Sequence, residues 1–395
     1  MIAEKNKSGG ENRSMLYILT NLQRGDNQWT YGVIDAVERE FTRRRLDFTE
    51  VTDVKATIKK CVAHGDPLLI PTPVTSLMLP IIDECNRAGV QVIVPNGFLN
   101  IGERYRYHCV KGDFYGAVAN ILHGLRNADK NDVAVFGMNT NSQEDVLITD
   151  AFIAQNNGIS NAVFCNDGSV GECFDGFFAS HRQFNAVICV NDYMAIYLIE
   201  NMRKRDPEYL KSTFIISFSN TLLSRLYNVP FTSLAPDMDA VGCAVGDIYR
   251  LVKRNPGYRA VTIYVNYKVY ERQTTGKCFA EQGYVAYESR NVFFPTINTF
   301  NESTAYNAEP EIARLPKVET FLNRLTKVEM SILMMVLSGY SNTRISEELF
   351  LSGETVRYHL NKMRAFLECE TKEDMRDMLK NLLNPHNIEQ YLKEM

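Results

Sequence analysis

Short apolar runs recur between Met15 and about Gly276: Leu16-Tyr-Ile-Leu-Thr20, Leu68-Leu-Ile70, Val90-Gln-Val-Ile-Val94, Val133-Ala-Val-Phe136, Val187-Ile-Cys-Val190 and Phe214-Ile-Ile-Ser-Phe218. They are continuous rather than alternating, the pattern of strands covered on both faces within a parallel sheet. Amphipathic stretches such as Tyr31 to Arg45 and Tyr193 to Arg205 lie between them and read as crossover helices. The runs are too many for one small doubly wound domain. The pattern therefore predicts an α/β region, spanning 15–278, built as two linked lobes with parallel sheets.

Past Gly276 the periodicity lapses. The stretch from Phe279 to Lys317 contains Pro295, Pro310 and Pro316 among several Asn and Thr residues, and 279–320 reads as a connector. From Leu325 to Leu383 the pattern is helical throughout. Thr326-Lys-Val-Glu329 forms a capping box, an apolar stripe follows through Ile332, Leu333, Val336 and Leu337, and Gly339 suits the left-handed residue that ends a helix. Ser341 or Asn342 caps a second, shorter helix with Ile345 and Leu349 turned inward. Ser352 caps a third, whose apolar face is Val356, Leu360, Met363 and Leu367, and Thr371-Lys-Glu-Asp374 caps a fourth. The expected C-terminal unit is an all-α four-helix domain over 321–395, and the polar start, 1–14, is expected to be a disordered tail.

At 100° per residue the third helix presents Glu354, Tyr358, Asn361 and Lys362 opposite its apolar face, flanked by Arg357 and Arg364. Hydrogen-bonding and cationic groups on a helix of this size suit the major groove of DNA; an ordinary bundle helix with a solvated face would carry a similar pattern. The net charge of −4 makes whole-molecule attraction to a polyanion impossible, so any nucleic-acid binding must come from this local patch.

The ordered matches Leu325-Thr-Lys-Val-Glu329, Gly339-Tyr-Ser-Asn342, Ile345-Ser346, Leu349-Phe-Leu-Ser352 and Thr355-Val-Arg-Tyr-His-Leu360 give this segment a specific likeness: it resembles the LuxR (GerE) helix-turn-helix family. Val328 and Ser346 stand where the family usually has Arg and Ala, off the reading face. The resemblance implies that Ser352 to Leu367 is a recognition helix. Ser352 and Thr355 lie at its start, Arg357, Tyr358 and Asn361 reach bases, and Lys362 or Arg364 contacts phosphate. Arg357 best pairs with guanine, and Asn361 reads adenine or bonds phosphate. His359 is a packing or phosphate-contacting residue. The fourth helix often forms a dimer contact in the family, so the expected partner is double-stranded DNA and the expected state a homodimer.

Within the α/β region, Val190-Asn-Asp-Tyr-Met-Ala195 ends a strand and opens a helix, which places Asn191 and Asp192 at the carboxyl end of a sheet, where ligands bind. A helix cap would use the same residues. Trp29 follows the polar run Gln23 to Gln28 and either stacks in a pocket or packs in the core; Asp113, in Lys111-Gly-Asp-Phe-Tyr-Gly116, caps a helix or lines a cleft. Four segments, Leu16 to Val37, Asn191 to Ala195, Phe214 to Phe218 and Tyr270-Glu-Arg-Gln-Thr-Thr275, together resemble the effector-binding domain of the lac-repressor family, which has the periplasmic-binding-protein type 1 fold. The resemblance implies that Asp192 hydrogen-bonds a small-molecule effector, a sugar or other polar metabolite, with Trp29 packed against it. Ile148 occupies the position of the family's clamping arginine, which removes a main sugar-binding group. The family carries its DNA-binding headpiece at the N-terminus, and here the DNA reader is C-terminal, so the family's mechanism does not transfer unchanged.

Other functions fit less well. No G-x-G-x-x-G, G-x-x-x-x-G-K-[ST], G-x-S-x-G or H-E-x-x-H motif occurs, and Thr275-Gly-Lys277 lacks the upstream glycine of a phosphate loop. Six isolated histidines offer no metal-ligand spacing, and nine scattered cysteines form no C-x-x-C pair, so reduced thiols, no cofactor and no catalysis are expected. A phosphorylated receiver needs paired acids after its first strand, where this chain has Asn21-Leu-Gln-Arg24. Met1 to Ser14 lacks a secretory apolar core, which points to a cytoplasmic protein without membrane contact. The reading is a ligand-responsive transcriptional regulator; the alternative is a LuxR-type regulator controlled by phosphorylation or a partner, with the sensor acting as a protein-interaction module.

Overall fold

The structure, a computed structural model, describes residues 14–20, 28–72, 75–95, 105–156, 162–279 and 310–395. The expected tail up to residue 13, the polar run before Gln28 and connector residues 280–309 lie outside the described residues. The chain divides into two compact units, 1–112 with 236–266, and 113–235 with 267–395, so it passes between them three times.

The first unit is built from β1 (Met15–Leu19), α1 (Gln28–Arg44), β2 (Asp47–Val51), α2 (Val54–His64), β3 (Leu68–Leu69), α3 (Thr75–Ala88), β4 (Val92–Val94) and β5 (His108–Gly112). Its sheet has the order β2-β1-β3-β4-β5, and every neighbouring pair is parallel. Strand alternation explains why β1 is apolar at every position. Leu16 and Ile18 join a core with Val33, Val37 and Phe41 of α1, whereas Tyr17 and Leu19 join a second core with Ile58 of α2 and Met78 and Ile82 of α3.

The second unit begins with α4 (Phe114–Asn127), β6 (Val133–Met138), α5 (Gln143–Gln155), β7 (Val163–Cys165), α6 (Val170–Ser180), β8 (Ala186–Cys189), α7 (Asp192–Arg205), α8 (Pro207–Ser212), β9 (Phe214–Phe218), α9 (Leu222–Leu226) and β10 (Thr232–Pro236). The chain then returns to the first unit for α10 (Met238–Arg254) and β11 (Thr262–Val265), which adds to its sheet beside β5 in parallel. The second unit resumes with β12 (Tyr267–Tyr270), giving a sheet of order β12-β10-β9-β8-β6-β7. β6, β8 and all but the first residue of β9 are wholly buried, as the apolar runs predict. The strands that those runs do not mark include β2, β7, β11 and β12, all at sheet edges, where one side is open and a run needs less apolar content.

α10 packs against α1 so closely that a Cβ on Gly242 would lie 2.5 Å from the Ala36 carbonyl oxygen. Backbone does not yield cheaply, so Gly242→Ala is expected to lower stability by about 1–3 kcal/mol, read as a lower urea midpoint with an unchanged slope.

The C-terminal part consists of α11 (Pro310–Ala313), α12 (Leu315–Arg324), α13 (Lys327–Leu337), α14 (Asn342–Glu348), α15 (Gly353–Leu367), α16 (Lys372–Leu379) and α17 (Pro385–Glu394). Two features differ from expectation. α12 runs through the boundary placed at residue 320: Pro316 sits in its first turn, where a missing N–H costs nothing, and Leu315, Val318, Phe321 and Leu322 are buried. α17 adds a helix beyond Leu383, opened by Asn384 accepting from His386 N at 2.9 Å and by Pro385. Among its side chains Ile388 is buried, with Tyr391 and Leu392 half-buried on the same face. Elsewhere the expected signals hold: the Thr326/Glu329 capping box opens α13. Gly339, at φ +82°, closes it, with Tyr340 N donating to Met335 O at 2.9 Å and Gly339 N to Val336 O at 3.0 Å, the Schellman pattern. Among the described residues no helix is long and apolar enough to cross a membrane.

Candidate nucleic-acid interface and sensor site

α15 is held by its apolar face, Val356, Leu360, Met363 and Leu367, all buried. Ser352 caps it, accepting from Thr355 N at 3.0 Å, and the two hydroxyls lie 2.8 Å apart. This leaves Arg357, Tyr358 (66 % exposed) and Asn361 on the outer face. Arg357 spends its guanidinium on no neighbour among the described residues, whereas Asn361 Oδ1 accepts from Arg364 at 3.3 Å. Arg364 also donates to the Glu370 carbonyl, so it is engaged at the helix end. The geometry brings Ser352, Thr355, Arg357, Tyr358, Asn361 and Lys362 onto one helix, with the N-terminal amides that favour phosphate at its start.

Lys362, expected at phosphate, is instead paired with Glu329, its Nζ donating at 2.7 Å while the side chain stays 58 % exposed. Glu329 is 1 % exposed and also accepts from His359 Nδ1 at 3.2 Å and from Thr326 N and Oγ1 at 2.9 and 3.0 Å. Burial by itself would push this carboxyl up; the Lys362 ammonium, the Thr326 donors and His359 outweigh it and hold the group down near 2. His359 thus ties α15 to α13.

In the α/β region, Asn191 is the cap of α7, accepting from Met194 N at 3.1 Å. Asp192, proposed from the sequence as an effector ligand, is 1 % exposed and turned into the protein. Its Oδ1 accepts from Ser217 Oγ at 2.5 Å and Ser233 Oγ at 2.6 Å, and its Oδ2 from Thr221 N at 2.6 Å and Thr221 Oγ1 at 2.7 Å. With both oxygens doubly engaged it ties β9 and β10 to the cap of α9 rather than facing a ligand; burial pushes its carboxyl up, against the pull of the three hydroxyls and the Thr221 amide. Asp113 caps α4, accepting from Gly116 N at 2.9 Å. Trp29 is half-buried and packs on the core between β1, α1 and α10. Ile148 in α5 is fully buried.

The carboxyl edge of the second sheet carries polar groups that the sequence reading did not single out. Asn139 follows β6 and Asn166 follows β7; both are fully buried, and Asn139 Nδ2 and Asn166 Oδ1 have no partner among the described residues. Asn166 Nδ2 donates to Gly137 O at 2.8 Å. Tyr267, packed on Phe114 and Phe218, likewise has an unpartnered hydroxyl. Buried polar atoms left open at the edge where α/β sheets bind ligands are the groups a small polar molecule would satisfy. Each asparagine directly follows the last residue of its strand, Met138 of β6 and Cys165 of β7, a place that no apolar run in the sequence marks. A different hollow of about 560 Å³, lined by Arg45, Asp47, Tyr249, Arg250, Lys253 and Arg254, lies at the opposite, amino-terminal edge of the first sheet.

The Tyr270–Thr275 segment holds the structure around α9. Arg272 donates to Asn220 Oδ1 at 2.6 Å, Phe231 O at 3.0 Å and Ser224 Oγ at 3.2 Å, and burial lowers it to about 10. Thr274 Oγ1 donates to Ile215 O at 2.6 Å, and the Thr275 and Thr232 hydroxyls lie 2.5 Å apart.

Two parallel-sheet α/β lobes are thus followed by a helical unit that contains a helix-turn-helix. Residues 323–379 match the luxR family of bacterial regulatory proteins, so the C-terminal domain is a luxR-type DNA-binding domain. No curated protein is matched by the chain in sequence. Among solved structures, the chain is similar to a transcriptional regulator CelR–cellobiose complex, at 14 % identity over 67 % of this chain and 85 % of that one with a TM-score of 0.47. It is similar to the lac repressor dimer bound to operator and the anti-inducer ONPF at 13 % identity, over 68 % and 83 %, with a TM-score of 0.48. To the transcription regulator CcpA of Lactococcus lactis the figures are 10 % identity, 66 % and 99 %, with a TM-score of 0.47. The architecture of the α/β region rests on its own two sheets.

Proposed function

We propose that this protein is a non-catalytic, ligand-responsive transcriptional regulator of the cytoplasm. In this reading a homodimer presents two copies of α15 to paired half-sites on double-stranded DNA, and a small polar effector bound by the sensor alters that presentation. The observation that carries the reading is the exposed Arg357–Tyr358–Asn361 face on a capped, well-anchored helix inside a luxR-type domain. Selection of double-stranded fragments from a random pool by the purified full-length protein tests it. A shared, salt-sensitive site with two related halves is expected, with affinity falling steeply between about 50 and 200 mM salt. A pool that shows no enrichment at either salt sinks the proposal.

A second reading is favoured by one observation: Ile148 and Asp192, the positions from which a family effector would be held, offer it nothing, being apolar in one case and fully engaged in the other. On that reading the sensor is a protein-interaction module under partner or phosphorylation control. Thermal unfolding in fractionated metabolite pools separates the two. A ligand present at about 100 times its dissociation constant stabilises by about 2.7 kcal/mol, which shifts the midpoint by several degrees; the absence of any shift across all fractions favours the interaction module.

A further inference from the structure

We propose that Glu319 is the positioning residue through which the sensor sets the orientation of the DNA reader, by holding the short helix α9 jointly with Asp192. This rests on the regulator reading above and names the internal link that reading requires. The first amides of α9 are shared between two buried carboxylates. Thr221 N and Oγ1 donate to Asp192 of α7, on the sensor side, at 2.6 and 2.7 Å. Leu222 N and Leu223 N donate to Glu319 Oε1 and Oε2 of α12, on the reader side, each at 2.8 Å. Asn323 Nδ2 supplies Glu319 with one further donor at 2.8 Å. Among the described residues no lysine or arginine hydrogen-bonds to either carboxylate.

A buried carboxylate balanced by amides is costly to strip of them. α9 and α12 therefore move together, and α12 is fastened to the recognition helix. Phe321 packs on Phe366 at 5.9 Å between ring centroids, Arg324 lies over the same ring at 5.0 Å, and Lys317 pairs with Glu368 at 2.8 Å. The far end of α9 is gripped by the reader's last segment. Asn384 N donates to Leu226 O at 3.0 Å, Asn228 N to Leu382 O at 2.9 Å and Asn387 Nδ2 to Tyr227 O at 2.7 Å, while Arg225 lies over Tyr391 and pairs with Glu394.

At the sensor end, β9 reaches α9 through Ser219 and Asn220, two consecutive non-glycine residues at φ +105° and +46°. Such positions persist only where their surroundings enforce them. Here the enforcing contacts are Ser219 N to Leu234 O at 2.8 Å, Asn220 N to Ser233 Oγ at 2.9 Å and Arg272 to Asn220 Oδ1 at 2.6 Å. Ser233 also donates to Asp192. A change at the carboxyl edge of the second sheet thus reaches α9 through the residues that define its cap, and from α9 it reaches the reader through Glu319.

Two measurements on the full-length protein test this. In amide hydrogen exchange, Glu319→Ala is expected to speed exchange at Leu222 and Leu223 by more than about tenfold while β6 amides keep their rates. Should that variant not fold, Glu319→Gln, whose one oxygen replaces two, is expected to release one of the two amides. Unchanged exchange at both amides overturns the clamp. The second measurement is a double-mutant cycle on a DNA fragment selected from the random pool. Ser217→Ala, which removes the hydroxyl that bonds Asp192 and Thr232 O within the second sheet, is expected to change affinity at least about fivefold in the wild-type background and less than about twofold in Glu319→Ala. A merely structural Glu319 would leave the Ser217→Ala effect equal in both backgrounds, and that result, or no effect in either, overturns the coupling. If the wild type selects no DNA at all, the regulator reading fails, and the exchange measurement still decides whether the clamp exists.

Discussion

Arg357→Ala is expected to lower affinity for a selected double-stranded site by about 10- to 100-fold per reader, since a good bidentate contact to a base edge is worth about 1–3 kcal/mol. Arg357 is exposed and has no partner among the described residues, so the melting temperature should not move. The two effects separate a recognition residue from a packing residue. Substitution should also relax selectivity at one base position of each half-site while leaving the salt dependence nearly unchanged, because base contacts specify and phosphate contacts supply the salt slope. Asn361→Ala is expected to act in the same direction at a neighbouring position. Binding curves for a fragment set varied one base pair at a time check this; equal loss across all sequences would make Arg357 a phosphate contact instead.

The second large effect concerns Glu329, which links the start of α13 to the recognition helix. Glu329→Ala removes an acceptor for Thr326 N, Thr326 Oγ1, His359 and Lys362 at once. The exposed Lys362 recovers its solvation, but the α13 cap and His359 do not, and a loss on the order of 3 kcal/mol is expected in denaturant unfolding. The pH dependence has a definite sign. The folded-state value near 2 lies below the ordinary 4.5, so the stabilisation is complete above about pH 4.5 and is lost as pH falls toward 2. Wild type should therefore lose more stability than Glu329→Ala between pH 5 and 3, and parallel unfolding curves for the two across that window would exclude this account. Freed from Glu329, Lys362 becomes available to DNA phosphate, so the variant that still folds at pH 7 should bind DNA with an unchanged or steeper salt dependence.

Much of this molecule is legible from its amino acids. Strands buried on two faces must be apolar at every position, which is why Leu16 to Leu19, Val133 to Phe136 and Val187 to Val190 announce themselves. The reader is legible for a different reason: its helices are short, and each begins and ends with a residue chosen by backbone geometry. Thr326, Ser341, Ser352 and Thr371 satisfy free amides, and Gly339 adopts a positive φ. Those requirements are local, so the sequence states them directly, and the face carrying Arg357, Tyr358 and Asn361 follows from 100° per residue once the cap is placed.

What the sequence left undetermined is where side chains point when two unrelated segments meet. Asn-Asp at the end of β8 reads from the sequence as facing a crevice, and locally nothing contradicts that. Only tertiary structure brings Ser217, Thr221 and Ser233 around Asp192 and turns it into a brace. Lys362 looks like a free cation until Glu329, from another helix, is placed 2.7 Å away. Prolines, Asn and Thr residues and the loss of periodicity place a boundary at residue 320, yet Pro316 occupies the one turn of a helix that tolerates it, and Glu319 just beyond it meets amides nearly a hundred residues earlier in the chain. Periodicity and capping are set by neighbours in sequence, so the inner strands named above, the helices of the reader and its outer face can be read from the amino acids, whereas the edge strands β2, β7, β11 and β12 cannot. The desolvation of a carboxylate and the choice of its donors are set by neighbours in space, and only the folded chain decided that Asp192 and Glu319 would meet on the same short helix.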